Sequence, residues 1–220
     1  MPTTTHADPT PPSPDAEDGP VSDSATTDGR LLRRQRNRDT VVEALLDLYA
    51  EGKLSPSTEE IAARSGLSPR SLFRYFDDVG DLTRTAMMRQ TDRILPMVEI
   101  HSEPEAGRTA KIAAVVDQRF RLFDQFANVA TVSRLRAPFQ PVLAEMLTSN
   151  RTFLRTQLER LFAPELAAMD EDHRGSALSA MDILTSFESY DLLTGFGRLT
   201  SERAQVVMTD SLTAILGPAG

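Results

Sequence analysis

Residues 57–82 read STEEIAARSGLSPRSLFRYFDDVGDL, and this stretch decides the fold of the N-terminal part of the chain. Ser57 and Glu60 have the spacing of a capping box, in which a hydroxyl and a carboxylate each satisfy an orphan backbone N–H at a helix start. Ile61 and Ala62 then form a small apolar face, and Ala62 is small enough to let a second helix cross close by. Ser65-Gly66-Leu67 reads as the turn. Gly66 can take a positive φ without a Cβ clash, and Leu67 plugs the core between the two helices. Ser68 caps the next helix, and Pro69 stands at its first position, where a missing N–H costs nothing. Asp78 and Asp81 repeat the capping pattern and start a further helix, with Leu82 on its apolar face.

The spacing predicts a helix over 69–76 with two unlike sides. At about 100° per residue, Leu72 and Phe76 share the inward side, and Arg70 and Arg74 share the outward side with Ser71 beside them. Phe73 and Tyr75 fall on the flanks. A greasy back and a front of two guanidiniums and a hydroxyl are what a reading helix in the major groove needs. Arginine pairs bidentately with guanine or with phosphate, and both partners stay open. The candidate DNA contacts are therefore Ser68, Pro69, Arg70, Ser71, Phe73 and Arg74. Tyr75, Ser57 and Thr58 are suited to phosphate. Arg38 ends a basic cluster (Arg30, Arg33, Arg34, Arg36, Arg38) that leads into the first helix. A solvated charge run, a phosphate contact and an arm in the minor groove all fit this cluster. The competing reading of the whole segment is an ordinary helical hairpin with solvated arginines.

Charge distribution supports the first reading. The chain has 220 residues and a net charge of −8, which looks wrong for a nucleic-acid binder. Residues 1–29 hold six acids and no Lys or Arg, whereas residues 30–90 hold eleven Lys/Arg against nine Asp/Glu. The basic excess sits where the DNA contacts are expected, and an acidic remainder repels phosphate from the other faces. Residues 1–29 are rich in Pro, Ser, Thr and Asp with almost no large apolar side chain, and are expected to be a disordered acidic tail. No apolar stretch marks a secretory leader, so the chain reads as cytoplasmic. No run of roughly eighteen apolar residues suggests a membrane span. With no cysteine, disulfides and thiolate metal sites are excluded.

Outward from the deciding stretch, strand signals are absent and helical spacing recurs. Val41, Ala44, Leu45, Leu48 and Tyr49 form one stripe, which Gly52 stops. Further helices are expected near 58–64, 69–76, 79–100, 107–126, 128–136, 140–162, 174–195 and 201–216.

The segment over roughly residues 35–90 resembles the TetR family of transcriptional repressors. The resemblance rests on Glu60-Ile61-Ala62, Gly66-Leu67-Ser68, Leu72-Phe73-Arg74-Tyr75-Phe76 and Asp81-Leu82. It implies an all-α fold, with an N-terminal three-helix helix-turn-helix domain over 30–78 and a larger helical domain over 79–220 for effector binding and dimerisation. It further implies a repressor that binds a palindromic operator as a dimer and is released by a small molecule. Its partners would be double-stranded DNA, the small-molecule effector and a second copy of the chain, the last through the helices near 174–195 and 201–216. Two features depart from the family pattern. Val79 stands where a phosphate-binding Lys is frequent. The link from Gly52 to Ser57 is slightly short, with Thr58 at a position that is commonly apolar.

The C-terminal part carries weaker signals. Ala177, Leu178, Met181, Leu184 and Phe187 form one helical stripe, and Ala204, Val207, Met208, Leu212 and Ile215 another. Two such helices could pack within one chain or form half of a four-helix bundle with a second. Two-fold symmetry would double the contacts of a small DNA reader. Phe120, Phe123 and Phe126 lie on one predicted helix, and Met97, His101, Phe139, Met146 and Phe153 are expected around the same interior. A pocket lined by aromatics and Met suits an apolar or aromatic ligand, and plain core packing explains the same residues. Arg119 and Arg121 read as surface charges. Either one turned inward would suit an anionic ligand.

No cofactor, metal or catalytic residue is expected, and the chain does not read as an enzyme. His6, His101 and His173 lack metal-ligand spacing. Asp170-Glu171-Asp172-His173 reads as a solvated loop before a helix. Gly195-Phe196-Gly197 reads as a helix stop, since no strand precedes it as a phosphate loop requires. Two alternatives remain open: a DNA-binding regulator without a small-molecule effector, and a helical interaction module or enzyme with no DNA role.

Overall fold

The computed structural model describes the backbone of residues 23–217 and the side chains of residues 29–217. Regular structure among the described residues is helical throughout, with no strand. The chain divides into two compact units, residues 1–36 and 37–220.

In the first unit, helix α1 (Asp23–Ala50) has already begun at Asp23, inside the stretch expected to be disordered. Low hydrophobicity argues against a buried helix. It does not stop a helix from propagating outward from an apolar segment, because each added residue brings its own backbone bond. The expected disorder over 1–22 lies outside the described residues. Arg30, Arg33, Arg34 and Arg36 are exposed.

The second unit gathers its apolar side chains in two clusters. The first is built on Val41, Val42, Leu45, Leu46 and Tyr49 of α1, buried around most of the helix. Against them pack Ile61 and Ala62 of α2 (Thr58–Ser65), Leu72 of α3 (Pro69–Leu72) with Phe76 just beyond it, and Leu82, Ala86 and Met87 of α4 (Val79–Ile94). Val129 and Val132 of α5 (Arg108–Arg136) and Leu143 of α6 (Pro141–Leu161) complete this cluster. Each full burial of such a side chain stabilises by roughly 1.5–3 kcal/mol.

The second cluster fills the space between the first half of α5, the end of α6, α7 (Ala163–Ala167), α8 (Glu171–Leu184), α9 (Phe187–Asp191) and α10 (Ser201–Leu216). α10 contributes Ala204, Met208, Leu212 and Leu216, one every fourth residue, and packs on α5 and α8.

Local signals hold at the reader. The capping box closes, with the Glu60 amide donating to Ser57 Oγ at 3.2 Å and the Ser57 amide to Glu60 Oε2 at 2.9 Å. Both turns at its edges end in the paired backbone bonds of a Schellman motif. Lys53 N–H donates to Leu48 O and Gly52 N–H to Tyr49 O, and Leu67 N–H donates to Ala62 O and Gly66 N–H to Ala63 O. Gly52 (φ 81°) and Gly66 (φ 69°) supply the left-handed residue each motif needs.

Five expected helices differ from the structure. The helix over 69–76 is α-helical only through Leu72 and then tightens, with Arg74 N–H donating to Ser71 O and Tyr75 N–H to Leu72 O. These i→i−3 bonds keep Phe76 on the inward side. The helix over 79–100 stops at Ile94 and passes into a 3₁₀ turn, Leu95–Met97, because Pro96 lacks an N–H and crowds the preceding turn. The two helices near 107–126 and 128–136 are one run, α5, kinked at Phe126 (φ −124°, ψ 17°) where the break was expected. The helix over 174–195 is three pieces. Thr185 ends α8 by bonding back to Met181 O, Ser186 caps α9 by accepting from the Ser189 amide, and a π-turn (Leu192–Phe196) follows. The stop at Gly197 falls at the end of that π-turn, as Gly195-Phe196-Gly197 suggested.

Candidate DNA-reading face and ligand cavity

The reading face is set by what anchors α3. Leu72 and Phe76 are 3% and 4% exposed, and they turn the other side of the segment to solvent. Ser68, Pro69, Arg70 and Arg74 are exposed, and Ser71 is half-buried. Ser68 Oγ accepts the Ser71 amide at 3.2 Å and lies 2.9 Å from Ser71 Oγ, which fixes the start of the helix. Among the described ion pairs neither Arg70 nor Arg74 takes part, so both guanidiniums face water. Phe73, 54% exposed, adds an aromatic surface beside them.

Three other cations of this part of the chain are occupied. Lys53 pairs with Glu60, and Arg64 with Glu51 at 2.8 Å, bracing the link between α1 and α2. Arg38, expected among the DNA contacts, turns inward instead. Its guanidinium lies 5.2 Å over the Phe76 ring and donates to Thr85 Oγ1 at 3.3 Å. The ring face attracts the cation, so Arg38 braces the reading helix from behind. Tyr75 Oη accepts from Asn37 Nδ2 at 2.8 Å, which leaves the phenolic hydrogen free to donate outward. Ser57 is exposed and Thr58 half-buried at the start of α2.

A cavity of about 370 Å³ lies between α4, α5, α6, the end of α8 and α9. Of the residues expected to line a pocket, Phe123, Phe126, Met146 and Phe153 do so. The other four stand elsewhere. Phe120 is buried behind the wall, edge-on to Tyr190 at 5.4 Å. Met97 belongs to the 3₁₀ turn after α4, and its carbonyl accepts from Gln118. His101 sits in the exposed loop before α5, and Phe139, 84% exposed, in the 3₁₀ turn before α6. Helical spacing could not find these positions, because three of the four lie outside α-helices or beside a proline.

No protein-family model matches the chain. A helix-turn-helix (HTH) type transcriptional regulator of Mycobacterium tuberculosis is 31% identical over 151 residues, covering 65% of this chain. The chain spans about 59% of that relative's length. Among solved structures, a TetR transcription regulator from Haloarcula marismortui superposes with a TM-score of 0.61 at 16% identity, over 82% of this chain and 98% of that one. A multidrug binding protein, EbrR, complexed with imidazole, superposes at 0.51 with 18% identity, over 86% and 96%.

The chain has the TetR-type fold. The cavity wall holds groups that pattern reading passed over. Arg134 of α5 donates to Glu188 Oε1 at 2.7 Å and lies 4.3 Å over the Phe187 ring. Burial pushes the Glu188 carboxyl up, but the Arg134 bond and backbone donors outweigh it, and the net shift is downward. Asp182 is held by Arg151 at 3.2 Å and by Arg155 at 3.5 Å. Gln90 of α4 is buried against the cavity. One signal was available for it: Leu82, Ala86, Met87 and Gln90 share one stripe, and a polar residue interrupting an apolar stripe invites a question.

Arg119, expected at the surface, is fully buried. It donates to Gln118, to Gln157 Oε1 at 3.3 Å and to Leu154 O at 3.1 Å. Burial pulls its pKa down to about 10, so it keeps its charge at neutral pH. It is not part of the cavity wall. Arg121 is exposed and pairs with Asp117 at 3.0 Å. Among the described residues no helix is long and apolar enough to cross a membrane.

Proposed function

We propose that the chain is a ligand-responsive transcriptional regulator, a repressor that binds a palindromic operator as a homodimer in the cytoplasm and lets go when its cavity fills. The observation that carries this reading is the pair of unpaired guanidiniums, Arg70 and Arg74, on the outward side of a helix anchored by Leu72 and Phe76. In the major groove Arg70, Ser71 and Arg74 read base edges. Tyr75, Ser57 and Thr58 fix the register on phosphate, and Ser68, Pro69 and Phe73 lie along the same surface. DNA contacts belong to residues 30–78, and effector binding and dimerisation to 79–220.

Three features support a coupling between cavity and reader. Met87, Val129 and Leu143 belong both to the reader's apolar cluster and to the cavity wall. Asn128 Nδ2 donates to Ala50 O at 2.6 Å, and Arg136 donates to Leu54 O at 2.8 Å, so the part of α5 beyond the Phe126 kink grips the link before α2. A ligand that moves α4 or this kink therefore biases the separation of two reading helices, which is a population shift between DNA-competent and incompetent states. Exposed apolar side chains on the last helices, Ile183 of α8 and Val206 of α10, support pairing of two chains there.

Selection of bound duplexes from a random pool tests the reading. A two-fold symmetric consensus with two half-sites is expected. No enrichment, or binding that is indifferent to sequence and salt, overturns it.

A further inference from the structure

The cavity's polar inventory narrows what can fill it, on the reading that this cavity is the effector site. Every charged group at the wall already has a partner of opposite sign: Glu188 has Arg134, and Asp182 has Arg151 and Arg155. A charged ligand would have to break one of these pairs and leave its own charge in a wall of Phe123, Phe126, Phe153 and Phe187. The hydroxyls are committed as well. Ser133 donates to Val129 O at 2.7 Å, Thr91 to Met87 O at 3.0 Å, Thr185 to Met181 O at 2.9 Å and Ser186 to Ile183 O at 2.7 Å. Each has given its hydrogen to a backbone carbonyl.

Among the buried polar side chains of the wall, Gln90 is the exception. It is 9% exposed, it lines the cavity, and its Nε2 is buried with no hydrogen-bond partner. Buried amide donors are nearly always paired, and an orphan calls for a missing acceptor. We propose that the cavity takes an uncharged, predominantly aromatic compound whose single carbonyl-type acceptor receives the Gln90 Nε2 hydrogen. The ring system stacks among the four phenylalanines, and the acceptor points at α4. Because Gln90 follows Met87 by one turn of the same helix, the bond is made to the element that also carries the reader's core.

Three isosteric probes test this: acetophenone, α-methylstyrene (the same shape with methylene in place of oxygen) and benzoate (the same shape with a charge). Binding is followed by methyl NMR of Met87 and Met146, both in the wall. Acetophenone is expected to bind about tenfold tighter than α-methylstyrene, the worth of one buried hydrogen bond, and benzoate weaker than acetophenone. In Gln90→Met the ketone and the hydrocarbon should bind alike, and continued binding of the hydrocarbon shows the cavity intact. Equal binding of ketone and hydrocarbon to the unaltered protein overturns the role of Gln90 and leaves the cavity as a ligand site. Tighter binding of benzoate overturns the uncharged class. No response of either methyl to any probe overturns the cavity reading and this inference together.

Discussion

The reader and the body of this molecule handle charge in opposite ways. Around α3 the key cations, Arg70 and Arg74, have no partner among the described residues and stand on a surface whose stability comes from apolar side chains behind them. In the body two cations are inside. Lys111 is 1% exposed, donates to Pro104 O at 2.9 Å, meets Glu165 at 2.6 Å and lies 5.5 Å from the Phe162 ring centre. Arg119 is enclosed by Gln118, Gln157 and Leu154. A charge left in water costs the fold little and remains available to a phosphate or a base. A charge taken out of water must be met by partners inside, and then holds the helices that meet it.

The sharpest way to break this contrast is to remove a cation from each region. Lys111→Met should leave the Glu165 carboxylate buried without a partner and destabilise by about 3–5 kcal/mol in urea unfolding. Adding Glu165→Leu should recover most of that loss. If the single variant costs under about 1 kcal/mol, the internal pair is not structural and the contrast fails. Arg74→Ala should do the reverse. Stability should stay within about 0.5 kcal/mol, while affinity for the selected operator falls by about 1–3 kcal/mol in a titration.

Smaller effects sharpen the comparison. Ser57→Ala opens the capping box of α2 and should cost about 1 kcal/mol of thermal stability, with DNA affinity falling by more than that loss accounts for, because the phosphate contact proposed for Ser57 goes with it. Affinity that falls only in step with stability would remove Ser57 from the phosphate contacts.

The last effect lies in the body. Burial first, and then the Asp124 carboxylate that accepts its hydrogen at 2.5 Å, push the Tyr190 phenol up to about 12. The folded state thus prefers the protonated phenol. Its contribution is complete below the ordinary value of 10 and declines as pH rises from there toward 12. Arg119, lowered to about 10, runs the other way over the same window. Subtracting the alkaline melting curve of Tyr190→Phe from that of the unaltered protein isolates the tyrosine. A difference that does not shrink with rising pH would remove the proposed burial of that group.

The same contrast explains what could be read in advance. The reader was legible because its determinants are close in sequence. The Ser57–Glu60 box, the Gly66 turn, the Ser68-Pro69 start and the Asp78–Asp81 cap each act over three or four residues, and the two sides of α3 follow from helical spacing alone. Even there, a contact from afar changed a placement. Arg38 belongs to a basic run by sequence, yet Phe76 and Thr85, which fold back against it, turn it inward. The body was legible only as helices with apolar stripes. The interruption at Thr185–Ser186 carried a faint local signal, a serine followed three residues later by another. Arg119 carried none, because its neighbours at Leu154 and Gln157 come from a different helix.

By itself the sequence determined an all-helical chain, the limits of the reading hairpin and the outward side of Arg70 and Arg74, because backbone capping and helical periodicity are short-range and leave their marks in adjacent residues. Only the tertiary structure decided which aromatics line the cavity, that Arg119 and Lys111 are inside, and that Gln90 of the cavity wall keeps a buried donor unmet. Those outcomes depend on which distant helix supplies or withholds a partner, and desolvation makes that choice matter far more than any local preference.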